Sequence, residues 1–190
     1  NYGDSFNPPF GFVLENKGKG YNYGVELTLE KFFDGTYYFL TTLSLFESKY
    51  TGYDGILRNT AFNGNFVWNV LGGYEFKIGK YNSISVSLRS VYAGGKRYVP
   101  IDIEKSILEN ATVYDWENAY SQKFDNYFRL DARISFKMNS KKINQEWAID
   151  FQNFTDNKNI YSQSFNTRSK SISYDYQTGF YPMILYRIQF

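Results

Sequence analysis

Apolar and polar residues alternate with a period of two over several stretches of this chain, the spacing of β-strands with one apolar face. The C-terminal stretch shows it plainly: Ile184, Tyr186, Ile188 and Phe190 alternate with Leu185, Arg187 and Gln189. The cleanest stretch sets Phe128, Leu130, Ala132, Ile134 and Phe136 against Arg129, Asp131, Arg133 and Ser135. The same reading predicts about seven strands in all. The first runs from near Phe10 to Phe33, the second from Thr36 to about Tyr50 and the third from Asn65 to Ile78. A fourth is centred on Ile84, Val86 and Leu88, the fifth on Phe128 to Phe136, the sixth spans Glu146 to Phe154, and the seventh ends on Phe190. The expected fold is an all-β, antiparallel up-and-down meander.

The connections add direction. Asp34-Gly35, which reads as a tight hairpin turn, Gly79–Asn82 and Met138–Gln145 are short, whereas Glu47–Gly64, Gly94–Asn126 and Thr155–Thr178 are long and polar. Short and long connections alternate strictly, as they do in an outer-membrane barrel with short periplasmic turns and longer extracellular loops. On that reading Phe190 lies in the strand that closes the barrel. The odd strand count, with the first strand starting outside, predicts residues 1–190 to be the C-terminal part of a larger transmembrane β-barrel. The Asn1-Tyr2-Gly3-Asp4 start has no charged and then apolar signal segment, so a leader is expected to have been removed or the chain to begin within a longer protein.

Composition sharpens the picture. Tyr and Phe number 19 and 18 in 190 residues, with 3 Trp, yet mean hydropathy is −0.49. A wall with one lipid face, one wet face and aromatic girdles has that balance. The uncharged run Gly35–Phe46 is too short for a transmembrane helix of about 20 residues but long enough for a tilted transmembrane strand of about 9–11. A net charge of +2, spread along the chain, leaves no basic stripe and argues against nucleic acid as a partner. With no His and no Cys, the chain lacks the commonest general base, thiol nucleophiles and most transition-metal ligand sets. No cofactor and no enzymatic activity are expected.

Several segments carry a family resemblance. Asn16-Lys17-Gly18-Lys19-Gly20-Tyr21-Asn22-Tyr23-Gly24-Val25-Glu26-Leu27 resembles a late strand of TonB-dependent outer-membrane receptor barrels. Gly94 to Asp102, Tyr127 to Ser135 and Ile149 to Asp156 are similar to segments of the Bacteroidetes branch, whose receptors carry a carboxypeptidase-regulatory-like domain. Pro182 to Phe190 resembles the family's closing strand, with Ile184, Tyr186, Ile188 and Phe190 as the barrel-closing signature. The resemblance implies a barrel of about 22 strands in the cell outer membrane, surrounded by lipid, holding a plug and importing a scarce nutrient with energy passed from TonB. The plug and the TonB-contacting region have no counterpart in these residues, so the chain would supply about a third of such a wall and not transport alone.

Candidate ligand contacts fall in the long loop after Gly94: Lys96, Arg97, Tyr98, Tyr114, Trp116 and Tyr120, joined by Tyr53, Asp54 and Arg58 of the preceding long loop. Ile101 to Asn110 is expected to form a short helix. Asp115 and Glu117 are weighed as an acid/base pair, but a solvated loop accounts for them better. Arg129, Asp131 and Arg133 share one face of their strand and are expected to form a lumen-facing charge ladder that meets a plug. The sequons at Asn110 and Asn153 read as chance matches. The competing functional class is a soluble all-β module that binds carbohydrate through exposed aromatics, and solubility without detergent separates the two.

Overall fold

A computed structural model of the chain describes residues 17–190. Seven long strands form one antiparallel sheet: β1 (Lys19–Lys31), β2 (Tyr37–Thr51), β4 (Phe66–Ile78), β5 (Asn82–Ala93), β8 (Tyr127–Asn139), β9 (Asn144–Gln152) and β12 (Tyr181–Gln189). Each pairs with its sequence neighbour among them, in the order β1-β2-β4-β5-β8-β9-β12. The shorter elements lie in the long connections: β3 (Leu57–Asn59), β6 (Arg97–Tyr98), α1 (Ile103–Glu109), β7 (Gln122–Lys123), β10 (Ile160–Asn166) and β11 (Ser171–Tyr176). The expected meander is present. The sheet is open, with β1 paired only to β2 and β12 only to β9 among the long strands.

Several boundaries differ from expectation. The Phe10–Asn16 part of the predicted first strand lies outside the described residues. Phe190 sits one residue beyond β12 rather than within it. The sixth strand stops before Asn153, whose φ of 47° is left-handed and turns the chain out of the ladder. The Asp34-Gly35 connection is looser than a two-residue turn. Pairing ends at Lys31–Phe39, and the Asp34 carboxylate accepts the Thr36 N–H (3.2 Å) and pairs with Lys31 (2.6 Å).

The registers sort the side chains cleanly. One row across the sheet is Tyr37, Tyr74, Val86, Ile134, Ile149 and Ile184, and parallel rows carry Leu27, Leu43, Trp68, Tyr92 and Phe128. The alternate positions hold Glu75, Ser85, Ser135, Ala148 and their neighbours. Leu130, Ile134, Phe136, Ile84, Val86, Leu88 and Ile188 therefore share one face, and Arg129, Asp131, Arg133, Glu26 and Glu30 share the other.

Burial runs opposite to that of a water-soluble sheet. The apolar face is the exposed one, with Val25 at 75% and Ile184 at 81%, while Ser135 and Ala148 on the polar face are at 4% and 3%. Most of the buried apolar side chains lie in the long connections at one end of the sheet: Ala61, Val99, Ile101, Ala119, Phe124 and Phe165. None of the described helices is long and apolar enough to cross a membrane.

Candidate functional site

Because the seven strands run up and down, the three long connections emerge at the same end of the sheet. They are built into one cap. Arg97 of β6 donates through Nε to the Asn63 carbonyl (2.9 Å) and through Nη1 to the Ser121 carbonyl (3.4 Å), joining the first long connection to the second. Gln163 of β10 donates to the Val99 carbonyl and the Thr112 hydroxyl accepts the Phe165 N–H (3.0 Å), joining the third to the second. Asn63 is fully buried. Its Oδ1 accepts the Ser48 N–H and its Nδ2 donates to Asn59 Oδ1 (2.8 Å), which locks the first connection onto β2.

Glycine is required where the connections cross. A Cβ on Gly94 would collide with the Gly64 carbonyl, and one on Gly95 with the Phe124 carbonyl. Helix α1 forms within the predicted span. The Asp102 carboxylate caps it by accepting the Lys105 N–H (3.0 Å), and Asn110, at φ 50°, ends it in the left-handed conformation.

The candidate residues separate into two groups. Arg97, Tyr98 and Tyr120 build the cap. Tyr98 stacks on Phe124 at 4.3 Å and donates its hydroxyl to Gln122, and burial pushes its phenol above the usual range. Tyr120 packs edge-on against Tyr50 at a φ of 59°. Lys96, Tyr114 and Trp116 are exposed. Lys96 has its ammonium 5.7 Å from the Phe62 ring, and the Tyr114 and Trp116 rings lie 5.9 Å apart. The preceding loop does reach this region. Arg58 pairs with Asp54 (2.6 Å) and donates to the Glu117 carbonyl (3.2 Å), so the side-chain hydrogen bond from Arg58 holds the Asp54 carboxyl below its ordinary value. Tyr53 projects into solvent. Asp115 is engaged in a local turn through Asn118, which lowers its pKa.

Arg129, Asp131 and Arg133 share a row on the polar face and belong to two ionic groups. Arg129 Nε meets Asp131 at 2.6 Å, and its Nη2 donates to Gln152. Arg133 pairs with Asp150 (2.9 Å) and Glu146 (3.1 Å), and Glu146 also meets Arg187 at 3.5 Å. Ile184, Tyr186 and Ile188 lie on the apolar face of β12, where Tyr186 packs on Trp147 at 4.2 Å.

A cavity of 540 Å³ opens between the cap and the polar face. Phe46, Phe62, Phe124 and Tyr161 are in its wall, and its charged residues are Lys96, Lys158 and Asp125. Sequence reasoning found only Lys96 of these. A second hollow of 390 Å³ shares Tyr127, Asn159, Tyr161 and Gln177 with it and reaches Arg129. Among the described residues there is no cluster of three or more His, Cys, Asp or Glu side chains that would hold a metal ion. No protein-family model matches the chain, and comparison with curated proteins and with solved structures finds no match either.

Proposed function

We propose that this chain is part of the wall of an outer-membrane β-barrel, the C-terminal segment of a TonB-dependent receptor of the Bacteroidetes type that imports a nutrient. The observation that carries the reading is the exposed apolar face. On it, aromatic side chains stand near both strand ends and aliphatic ones between. Trp68, Tyr92 and Phe128 lie near the loop end, Val70, Leu88 and Ile149 in the middle, and Phe76, Phe136 and Trp147 near the turn end. Trp68 and Ile78 are ten residues apart on β4, about 33 Å of strand at 3.3 Å per residue. A tilt of about 40° reduces that to about 25 Å, the height of the apolar band of such barrels.

A soluble sheet would bury this face beneath a second layer, and no described element covers it. Lipid is the partner such a face fits. The open edges of β1 and β12 fit the same reading, since an unpaired backbone group in lipid costs several kcal/mol and each edge calls for another strand of the barrel. The ionic row then faces the lumen, where it would meet a plug, and the cap lies outside the cell. The role is structural and ligand-binding, not enzymatic, and energy would come from TonB through other parts of the receptor.

The test is fractionation of the full-length protein. It should sediment with the outer membrane, require detergent for extraction and shift its gel mobility on boiling. Recovery as a soluble monomer in plain buffer would overturn the reading in favour of a soluble all-β carbohydrate-binding module.

A further inference from the structure

We propose that the 540 Å³ cavity beneath the cap is a binding site for an anionic small molecule with a flat apolar body, held by Lys96 and Lys158. The inference rests on the receptor reading for the side from which ligand arrives.

The wall supplies the apolar half of the recognition. Phe124 closes the back, held in place by its stack on Tyr98 and an edge contact with Tyr174 at 6.5 Å. Phe62 and Tyr161 line the same cavity while remaining 73% and 66% exposed. Two large aromatic side chains left open to solvent beside a preformed hollow favour a planar guest, which gains by stacking. The volume falls within the usual range of about 300–1,000 Å³ for small-molecule sites.

The charged half comes from the lysines. Neither Lys96 nor Lys158 makes an ion pair among the described residues. The Lys96 ammonium lies 5.7 Å from the Phe62 ring, and among the described residues Asp125 is the one carboxylate in the lining. Two cations against one anion leave the hollow net positive. The backbone contacts among Gly64, Gly94, Gly95 and Phe124 fix the floor, so the site is largely preformed and little ordering is needed on binding.

The full-length protein is titrated in detergent with 2-naphthoate and with its neutral isostere 2-naphthamide, read by saturation-transfer NMR. Naphthoate should bind about tenfold more tightly, Lys96→Ala and Lys158→Ala should each remove most of that advantage, and Phe62→Ala should weaken both probes. Lys141→Ala/Lys142→Ala, at the opposite end of the sheet, should change nothing. Equal affinity for the two probes, indifference to the two lysine substitutions, or no binding of naphthoate would each overturn the proposal. A protein that sediments with the outer membrane but ignores the probes sinks this inference alone. One that binds naphthoate but is soluble in buffer sinks only the receptor reading.

Discussion

The side-chain amide of Asn159 bonds both backbone groups of Phe128: its Oδ1 accepts the Phe128 N–H at 2.9 Å and its Nδ2 donates to the Phe128 carbonyl at 2.8 Å. A side chain thus takes the place of a strand neighbour beyond the end of the β8–β9 ladder. Asn157 adds a second donor to the same carbonyl at 3.2 Å, and Asn153 braces Asn157 through its own amide.

Asn159→Ala should orphan the Phe128 N–H and cost about 1–3 kcal/mol. Asn159→Asp should be no better, because a carboxylate oxygen would then face the Phe128 carbonyl. Amide exchange at Phe128 and denaturant unfolding of the purified protein check both. Wild-type protection at Phe128 in Asn159→Ala would show that the bond is dispensable.

On the apolar face, Ile134→Arg should impair folding into lipid vesicles by about 2–4 kcal/mol. Thr28→Arg, on the opposite face between Glu26 and Glu30, should be close to neutral. Urea titration in phospholipid vesicles reads the difference, and equal costs for the two substitutions would contradict the assignment of faces.

The ionic group around Arg133, with Asp150, Glu146 and Arg187, should behave as a unit. Arg133→Ala leaves Asp150 without its cation and leaves Glu146 only the longer contact to Arg187. The group is partly solvated, so the expected loss is about 1–3 kcal/mol. Combining Arg133→Ala with Asp150→Asn should recover part of it. A double-mutant cycle with no coupling would show that the pair contributes nothing.

The cap should resist acid. Arg58 holds the Asp54 carboxyl low through a side-chain hydrogen bond, the Lys105 N–H does so for Asp102, and the Asn118 side chain does so for Asp115. A carboxyl whose folded pKa is depressed adds stability above its unfolded value and loses it as pH falls through the folded value. Cap stability should therefore be flat above the ordinary Asp value of 3.8 and fall below it. Asp54→Asn should be less stable at neutral pH and flatter in acid. Limited proteolysis of the cap across pH reads this, and an unchanged acid profile in Asp54→Asn would count against the pairing.

The seven strands were legible because their two faces meet different surroundings, and that difference imprints a two-residue period on the sequence. Asn65 to Ile78 was expected and Phe66–Ile78 is found, and the Ile101–Asn110 helix appears as Ile103–Glu109 between its two caps. The cap was not legible, since β3, β6 and β7 are two or three residues long and their partners are distant, as in Arg97 with Lys123. A lone basic residue in a loop reads as a ligand contact, yet Arg97 is occupied by two backbone carbonyls. Phe62, Lys158 and Tyr161 meet only because loops far apart in sequence converge, and no local period marks them. The Asn-rich run from Asn153 to Asn159 was the available signal, because asparagine tolerates left-handed backbone and bonds its own neighbours.

The three long connections share one set of buried side chains, and that sharing constrains how this end of the molecule can change over evolutionary time. Asn63, Ser106, Phe124 and Gln163 belong to different segments of the cap, each closed off from water by its neighbours. A substitution that reshapes one connection disturbs the packing of the others, so drift at one loop must be matched at the next. On the receptor reading, ligand preference at this end is inherited as a block. Transplanting a single loop from a divergent relative should yield an ill-fitting hybrid, whereas exchanging all three together should carry the donor's preference intact.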